Sequence, residues 1–167
     1  MAVYYPLAVG NAWKYRQADG SEFTNRVTAE DRSAPGRFTM VNSVLGTDQY
    51  MRKEGSSYLT DSFEKGNFQV LLRDDLSAGD TWDVKFTANT IESIVTMTVK
   101  EKGKSVEVNG RKFDDVMFIE AESKMVFNGN VMPLNFFTQY YYAPGTGLVL
   151  TTSTGGTSIS LVSAELV

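Results

Sequence analysis

Hydrophobic and polar positions along this chain alternate with a period of two far more often than they recur every three or four residues. Over residues 91–101, Val95, Met97 and Val99 share one parity while Thr96, Thr98 and Lys100 share the other. Over residues 113–127, Met117, Ile119, Ala121, Met125 and Phe127 oppose Glu120, Glu122 and Lys124. Successive side chains of a strand point to opposite faces, so both stretches predict strands with one dry and one wet face. Residues 131–150 are denser. An aromatic strand, the Pro144-Gly145 turn and a short aliphatic strand predict the central hairpin of a β-core. Within it Phe137 and Tyr141 fall on one face, and Phe136, Tyr140 and Tyr142 on the other.

Turn formers divide the remainder. Gly10-Asn11 precedes Trp13 and Tyr15, which predict a first strand with its aromatic face inward, and Asp19-Gly20 turns the chain into a second strand through Phe23 and Val27. Pro35-Gly36, Gly46, Gly55 and Gly66 separate short strands at residues 37–45, 49–53, 57–62 and 67–73. Residues 73–83 read as an ordered loop pinned by Leu76 and Trp82. Gly103-Lys104 and Asn109-Gly110 bracket a short strand at 105–108. Asn128-Gly129 and Gly155-Gly156 make tight hairpins, and Ile159 and Leu161 alternate along the closing strand. About a dozen strands spaced by roughly 8 to 12 residues describe one all-β domain over residues 1–167. The expected architecture is an antiparallel meander forming a strongly curved sheet, half-barrel or barrel, with a sandwich as the alternative. Trp13, Tyr15, Trp82, Pro144, Gly145 and Gly147 are expected to be structural, as core aromatics and turn residues.

Composition narrows the functional classes. With 167 residues, 42% hydrophobic and 12% aromatic, the chain can bury a core without disulfide or metal staples. A net charge of −4, with acidic residues scattered, leaves no footprint for nucleic acid. No apolar run approaches the length of about 18 residues needed for a transmembrane helix. The chain has no histidine and no cysteine, which removes Ser-His-Asp and Cys-His catalysis and nearly all zinc and copper sites.

What chemistry remains is sparse. Glu120 and Glu122 share a strand face about 7 Å apart, a separation compatible with a two-carboxylate hydrolase. That face is the polar one and continues through Lys124, so a solvated stripe is the expectation. Asp74, Asp75, Asp80 and Asp83 crowd one loop but lack the Asp-x-Asp-x-Asp-Gly spacing of a calcium loop. Turn and capping duties are expected of them. Gly145-Thr146-Gly147 lies between strands rather than before a helix, which argues for a tight turn and against phosphate binding. The expectation is a protein without catalytic residues, metal or cofactor.

Four segments carry a resemblance. Tyr5-Pro6-Leu7 with Val9-Gly10-Asn11-Ala12-Trp13-Lys14-Tyr15 resembles the Pro-Leu, x-Gly-Asn-x-Trp-x-Tyr opening of a broad group of uncharacterised bacterial envelope proteins, often lipoproteins. Val106-Glu107-Val108-Asn109-Gly110-Arg111-Lys112-Phe113 with Val116 is similar to their Val-x-Val-x-x-Gly-x-Phe-x-x-Val segment. Tyr140-Tyr141-Tyr142-Ala143-Pro144-Gly145-Thr146-Gly147-Leu148-Val149 resembles their Tyr-Tyr-Ala-x-Gly-x-Gly-Leu-Val hairpin, and residues 161–166 their closing strand. Residues 33–88 carry no matching motif. The resemblance implies an all-β fold with the curved sheet of lipoprotein carriers. It also implies a periplasmic, extracellular or outer-membrane-attached location, while the bare start Met1-Ala2 would equally suit a cytoplasmic protein.

The expected function is therefore that of a non-enzymatic envelope protein whose curved sheet shelters a lipid or other apolar small molecule. Met97, Met117, Met125 and Met132, with Phe137 and Tyr141, are the candidate ligand-binding residues, because methionine adapts to irregular apolar shapes. The alternative is an assembly module that binds another envelope protein through its sheet edges or an apolar patch.

Overall fold

A computed structural model describes residues 2–167. Met1 lies outside the described residues, which contain strands and turns but no helix. The strands are β1 (Ala12–Gln17), β2 (Glu22–Glu30), β3 (Arg37–Asn42), β4 (Asp48–Glu54), β5 (Ser57–Thr60), β6 (Gln69–Arg73), β7 (Thr81–Ala88), β8 (Ile91–Val108), β9 (Arg111–Phe127), β10 (Asn130–Ala143), β11 (Gly147–Ser153) and β12 (Ser158–Glu165). All twelve belong to one sheet, in the order β6-β5-β4-β3-β2-β1-β12-β11-β10-β9-β8-β7. Every neighbouring pair is antiparallel. The chain thus starts in the middle of the sheet, walks to one edge, crosses to the other edge and meanders back until β12 pairs with β1. This is a nearly closed antiparallel barrel.

Closure is incomplete at one place. The two edges, β6 and β7, share no ladder, and side chains bridge them instead. The Trp82 indole donates to the Val70 carbonyl at 2.9 Å. Asn67 donates to the Lys85 carbonyl at 3.2 Å, and the Thr87 amide donates to Glu64 at 3.2 Å. The Phe63 and Phe86 rings lie 5.4 Å apart. An uncovered edge is a template for unwanted pairing, and here a loop supplies the missing partners.

Alternation assigns the inner face strand by strand. Trp13 and Tyr15 on β1, Val27 on β2, Met40 on β3, Tyr58 on β5, Met97 and Val99 on β8, Met117 and Ile119 on β9, Tyr142 on β10 and Leu161 on β12 are all buried in one continuous cluster. The segment before β1 plugs the lower end of this core. Tyr4 and Tyr5 are buried, and the Tyr5 ring lies 5.2 Å from Trp13, 6.0 Å from Tyr58 and 6.3 Å from Tyr142. The Gly145 amide donates to the Val3 carbonyl at 2.7 Å, and the Asn11 side chain to the Pro6 carbonyl at 2.7 Å.

The β10–β11 turn is held by Trp13, whose indole donates to the Thr146 carbonyl at 2.6 Å. Gly147 sits beside it with φ +114°, and a Cβ there would stand 3.1 Å from the indole nitrogen. Glycine is required at this point by both backbone and space. Trp13 and Tyr15 are thus core residues, and Pro144 and Gly145 lie in the turn.

Three sequence expectations need correction. The hairpin at residues 131–150 is not central, because β12 returns to pair with β1 and puts those two strands in the middle of the sheet. Trp82 stands in β7 rather than in a loop; its half-buried ring reaches sideways across the seam. Residues 105–108 are not a separate strand either. β8 runs through Gly103, and register shifts between Val99 and Val106 absorb the extra residues as bulges.

Candidate functional site

The strand lengths make the two ends of the barrel unequal. β8, β9 and β10 contain 18, 17 and 14 residues, whereas the other nine strands have 4 to 9. The β9–β10 and β7–β8 hairpins consequently extend past the packed core at the upper end. Along the inner face of β10, exposure rises from 2% at Tyr142 to 39% at Phe136 and 45% at Met132. On β8 it rises from 1% at Met97 to 45% at Ile91, and on β9 from 0% at Met117 to 57% at Phe127. The same inward-facing parity that builds the core continues into solvent.

Register brings these residues together. Met125 faces Met132 across β9 and β10, and Ser123 faces Phe136. Ser93 on β8 faces Met125, and Phe86 on β7 faces Ser93. Two residues beyond Ser93 and Met125 stand Ile91 and Phe127. Cross-strand neighbours sit about 5 Å apart, so Ile91, Met125, Phe127, Met132 and Phe136 form one apolar patch. Val131 and Leu134 are also exposed on β10, and Val44 and Leu45 project from the β3–β4 turn at the same end. Between Pro133 and Phe136 the register shifts, with Asn135 at φ +53°, a conformation asparagine tolerates better than most residues. The Phe136 ring then lies over Gly155, where a Cβ would stand 3.0 Å from it.

The sequence-predicted ligand residues divide three ways. Met125 and Met132 belong to the patch. Met97 and Met117 share its parity but lie deeper, buried in the solid core. Phe137 and Tyr141 point to the outer face, where Tyr141 stacks on Phe118 at 4.6 Å with rings 2° from parallel. Burial, with the charges of Glu101 and Glu120, pushes the Tyr141 hydroxyl pKa up. On the inner face burial alone raises that of Tyr140. Ile91, Phe127 and Phe136 were not singled out by the sequence as ligand residues. Their signal was inward parity beside an Asn-Gly hairpin or at a strand start, and it becomes informative only once β8–β10 are known to outrun their neighbours.

The carboxylates are otherwise engaged. Glu120 accepts from Gln139 at 3.0 Å, which in turn accepts from Thr152 at 2.8 Å, and Glu122 lies 3.9 Å from Lys124. Asp80 caps the Ser77 amide at 2.8 Å, Asp83 accepts from Thr96 at 2.8 Å, and Asp75 pairs with Arg73 at 2.9 Å. The Arg73 guanidinium lowers the Asp75 pKa. Asp74 is turned inward, onto Lys53, Tyr58 and the Tyr4 amide. Among the described residues no three carboxylates converge as a metal site would require.

No protein-family model matches the chain, and no curated protein matches it in sequence. Solved structures share its fold. A candidate lipoprotein from Parabacteroides distasonis aligns with TM-score 0.61 and 14% identity, over 98% of this chain and 99% of that one. A candidate exported protein with YmcC-like fold from Bacteroides fragilis aligns with TM-score 0.61 and 12% identity, over 99% and 100%. At these identities the likeness is one of fold, and it extends over the whole domain. No helix in the described residues is long and apolar enough to cross a membrane.

Proposed function

We propose that this is a non-enzymatic protein of the bacterial envelope, one of the group its sequence resembles, and that it binds a hydrophobic or amphipathic ligand on the upper inner face of β8–β10. One observation carries the reading. The inward-facing parity of these strands continues beyond the packed core as Ile91, Met125, Phe127, Met132 and Phe136, four of them exposed. A soluble protein gains nothing from leaving such a patch wet. Covering each side chain contributes about 2 kcal/mol, enough in sum to hold an acyl chain. The exported and lipoprotein-like character of the structural neighbours agrees with an envelope location. Methionines suit ligands of irregular shape.

Native mass spectrometry of the protein purified from its source tests this. The expected spectrum contains an adduct of amphiphile mass that is lost in Met132→Asp and Phe136→Asp. A spectrum of bare protein, together with failure to take up any monomeric alkyl detergent, would overturn the reading.

A second reading, docking of another envelope protein, draws on a different observation. The β6 and β7 edges lack a ladder between them, and an extended segment of a partner could add there by displacing the Trp82 and Asn67 bridges. Sedimentation of the protein with its envelope extract, with and without Trp82→Ala, distinguishes the two, since only edge docking would respond to that change.

A further inference from the structure

We infer that the ligand of the upper inner face carries an uncharged, hydroxyl-rich head group rather than an ionised one; this rests on the function proposed above and specifies its ligand class. Polar side chains line the wall between the buried core and the apolar margin. On β8 to β11 the inward positions at that level are Ser93, Ser123, Thr138 and Ser153, with Thr138 facing Ser153 and Ser123 facing Phe136. On β2 to β4 they are Asn25, Asn42 and Gln49, with Asn25 facing Asn42 and Met40 facing Gln49. All seven are partly exposed. Strands far apart in the chain thus each place a hydroxyl or amide at an inward position above the buried part of the strand.

Charge is missing from the strands of the same surface, and the two loop carboxylates that reach it are already engaged: Asp61 accepts the Gly66 amide at 3.2 Å, and Glu64 accepts Asn67 at 3.0 Å and the Thr87 amide at 3.2 Å. On the strands of this barrel no Asp, Glu, Lys or Arg occupies an inward position above the buried core. Glu92, Glu120, Glu122 and Lys124 all fall on the outward parity. The inward Lys53 lies at the lower end, paired with Asp74 at 2.7 Å. The absence cannot be put down to composition, since 22% of the chain is charged.

Physical consequences follow for a bound head group. An ionised sulfate or phosphate drawn onto this wall would give up water and meet no positive charge, and an ammonium would meet only carboxylates already held by Gly66, Asn67 and Thr87. A polyol would exchange water for Ser, Thr, Asn and Gln partners at little net cost. Several of those partners are available, because the side chains of Ser93, Ser123, Thr138 and Gln49 make no hydrogen bond to another described residue. The other three are engaged: Asn42 donates to Asn25 at 3.1 Å and accepts from the Val44 amide at 2.9 Å, bracing the turn that carries Val44 and Leu45, and the Ser153 hydroxyl accepts the Thr157 amide at 3.2 Å. The Phe86 and Phe136 rings add flat apolar surface beside the hydroxyls, suited to the C–H faces of a sugar ring.

Calorimetric titration with three monomeric probes of equal chain length, decyl maltoside, decyl sulfate and decyltrimethylammonium, tests the inference. The maltoside is expected to bind at least about tenfold tighter than either ion, a difference of about 1.4 kcal/mol, and to be indifferent to added salt. The double variant Ser123→Ala, Thr138→Val, shown to be folded by near-ultraviolet dichroism, should bring the ratio towards one by weakening the maltoside alone. Equal or tighter binding of an ionic probe overturns the inference while leaving an apolar ligand site intact. A maltoside preference unchanged in the double variant overturns the assignment to these hydroxyls. Failure of all three probes to bind overturns the underlying function instead.

Discussion

The carboxylate of Asp74 accepts the Tyr58 hydroxyl at 3.0 Å, and this buried bond ties the β6–β7 loop to β5. The same carboxylate takes the Tyr4 amide at 2.9 Å and the Lys53 ammonium at 2.7 Å. The ammonium also lies 3.8 Å from the centre of the Tyr58 ring. One acidic residue thus gathers the plug segment and two strands at the lower end of the barrel.

Removing Asp74 should be costly because three donors lose their acceptor together. Asp74→Ala is expected to lower unfolding free energy by about 3 kcal/mol, and Tyr58→Phe, which deletes a single bond, by about 1 kcal/mol. Urea denaturation measures both. If Asp74→Ala proved no more harmful than Tyr58→Phe, the carboxylate would not be the organising group.

The seam between β6 and β7 should be the first part of the barrel to open. Its amides are held by side chains, whereas β8 and β9 exchange an unbroken ladder from the Ser93–Met125 pair to the Val99–Ile119 pair. Hydrogen exchange is expected to be much faster at the Lys85 and Thr87 amides than at Ile119 or Ala121. Trp82→Phe, which removes the bond to Val70, should cost about 1 kcal/mol and accelerate exchange at Lys85 while leaving Ile119 unchanged. Protection at Lys85 equal to that of β9 would show that the barrel closes more firmly than its hydrogen bonds indicate.

Alkaline pH should unfold the protein through its tyrosines. Burial raises the pKa of Tyr5, Tyr15 and Tyr142, and burial followed by the Asp74 charge raises that of Tyr58. Each of these hydroxyls is neutral in the native state over a range where the unfolded chain has already lost the proton. Above the ordinary tyrosine value of about 10, the unfolded state binds fewer protons than the native one, so stability falls as pH rises. It is fully present below that value. Tyrosinate absorbance and dichroism, followed together, should change in one cooperative step. Full tyrosine ionisation with the native dichroism retained would contradict the burial of these rings.

What the amino-acid sequence determined by itself was parity and punctuation. Period-two alternation placed Val95, Met97, Val99, Met117, Ile119 and Ala121 on one face, and that face is the interior. Gly and Asn at the turns marked the hairpins, and the zero counts of histidine and cysteine confined the chemistry before any fold was known. These features are local, since a strand's facing and a turn's positive φ depend on a few neighbouring residues. Tertiary structure decided what depends on distant strands. Alternation says which face a residue occupies, but not at what depth. Met97 and Met132 therefore read alike in sequence and differ entirely in the barrel, one buried and one exposed. The return of β12 to β1 moved the aromatic hairpin off centre, turned Trp82 into a bridge across the seam and left the long β8–β10 strands projecting. Burial is settled by the length of the neighbouring strands, and that length is a property of the assembled sheet, not of any one segment.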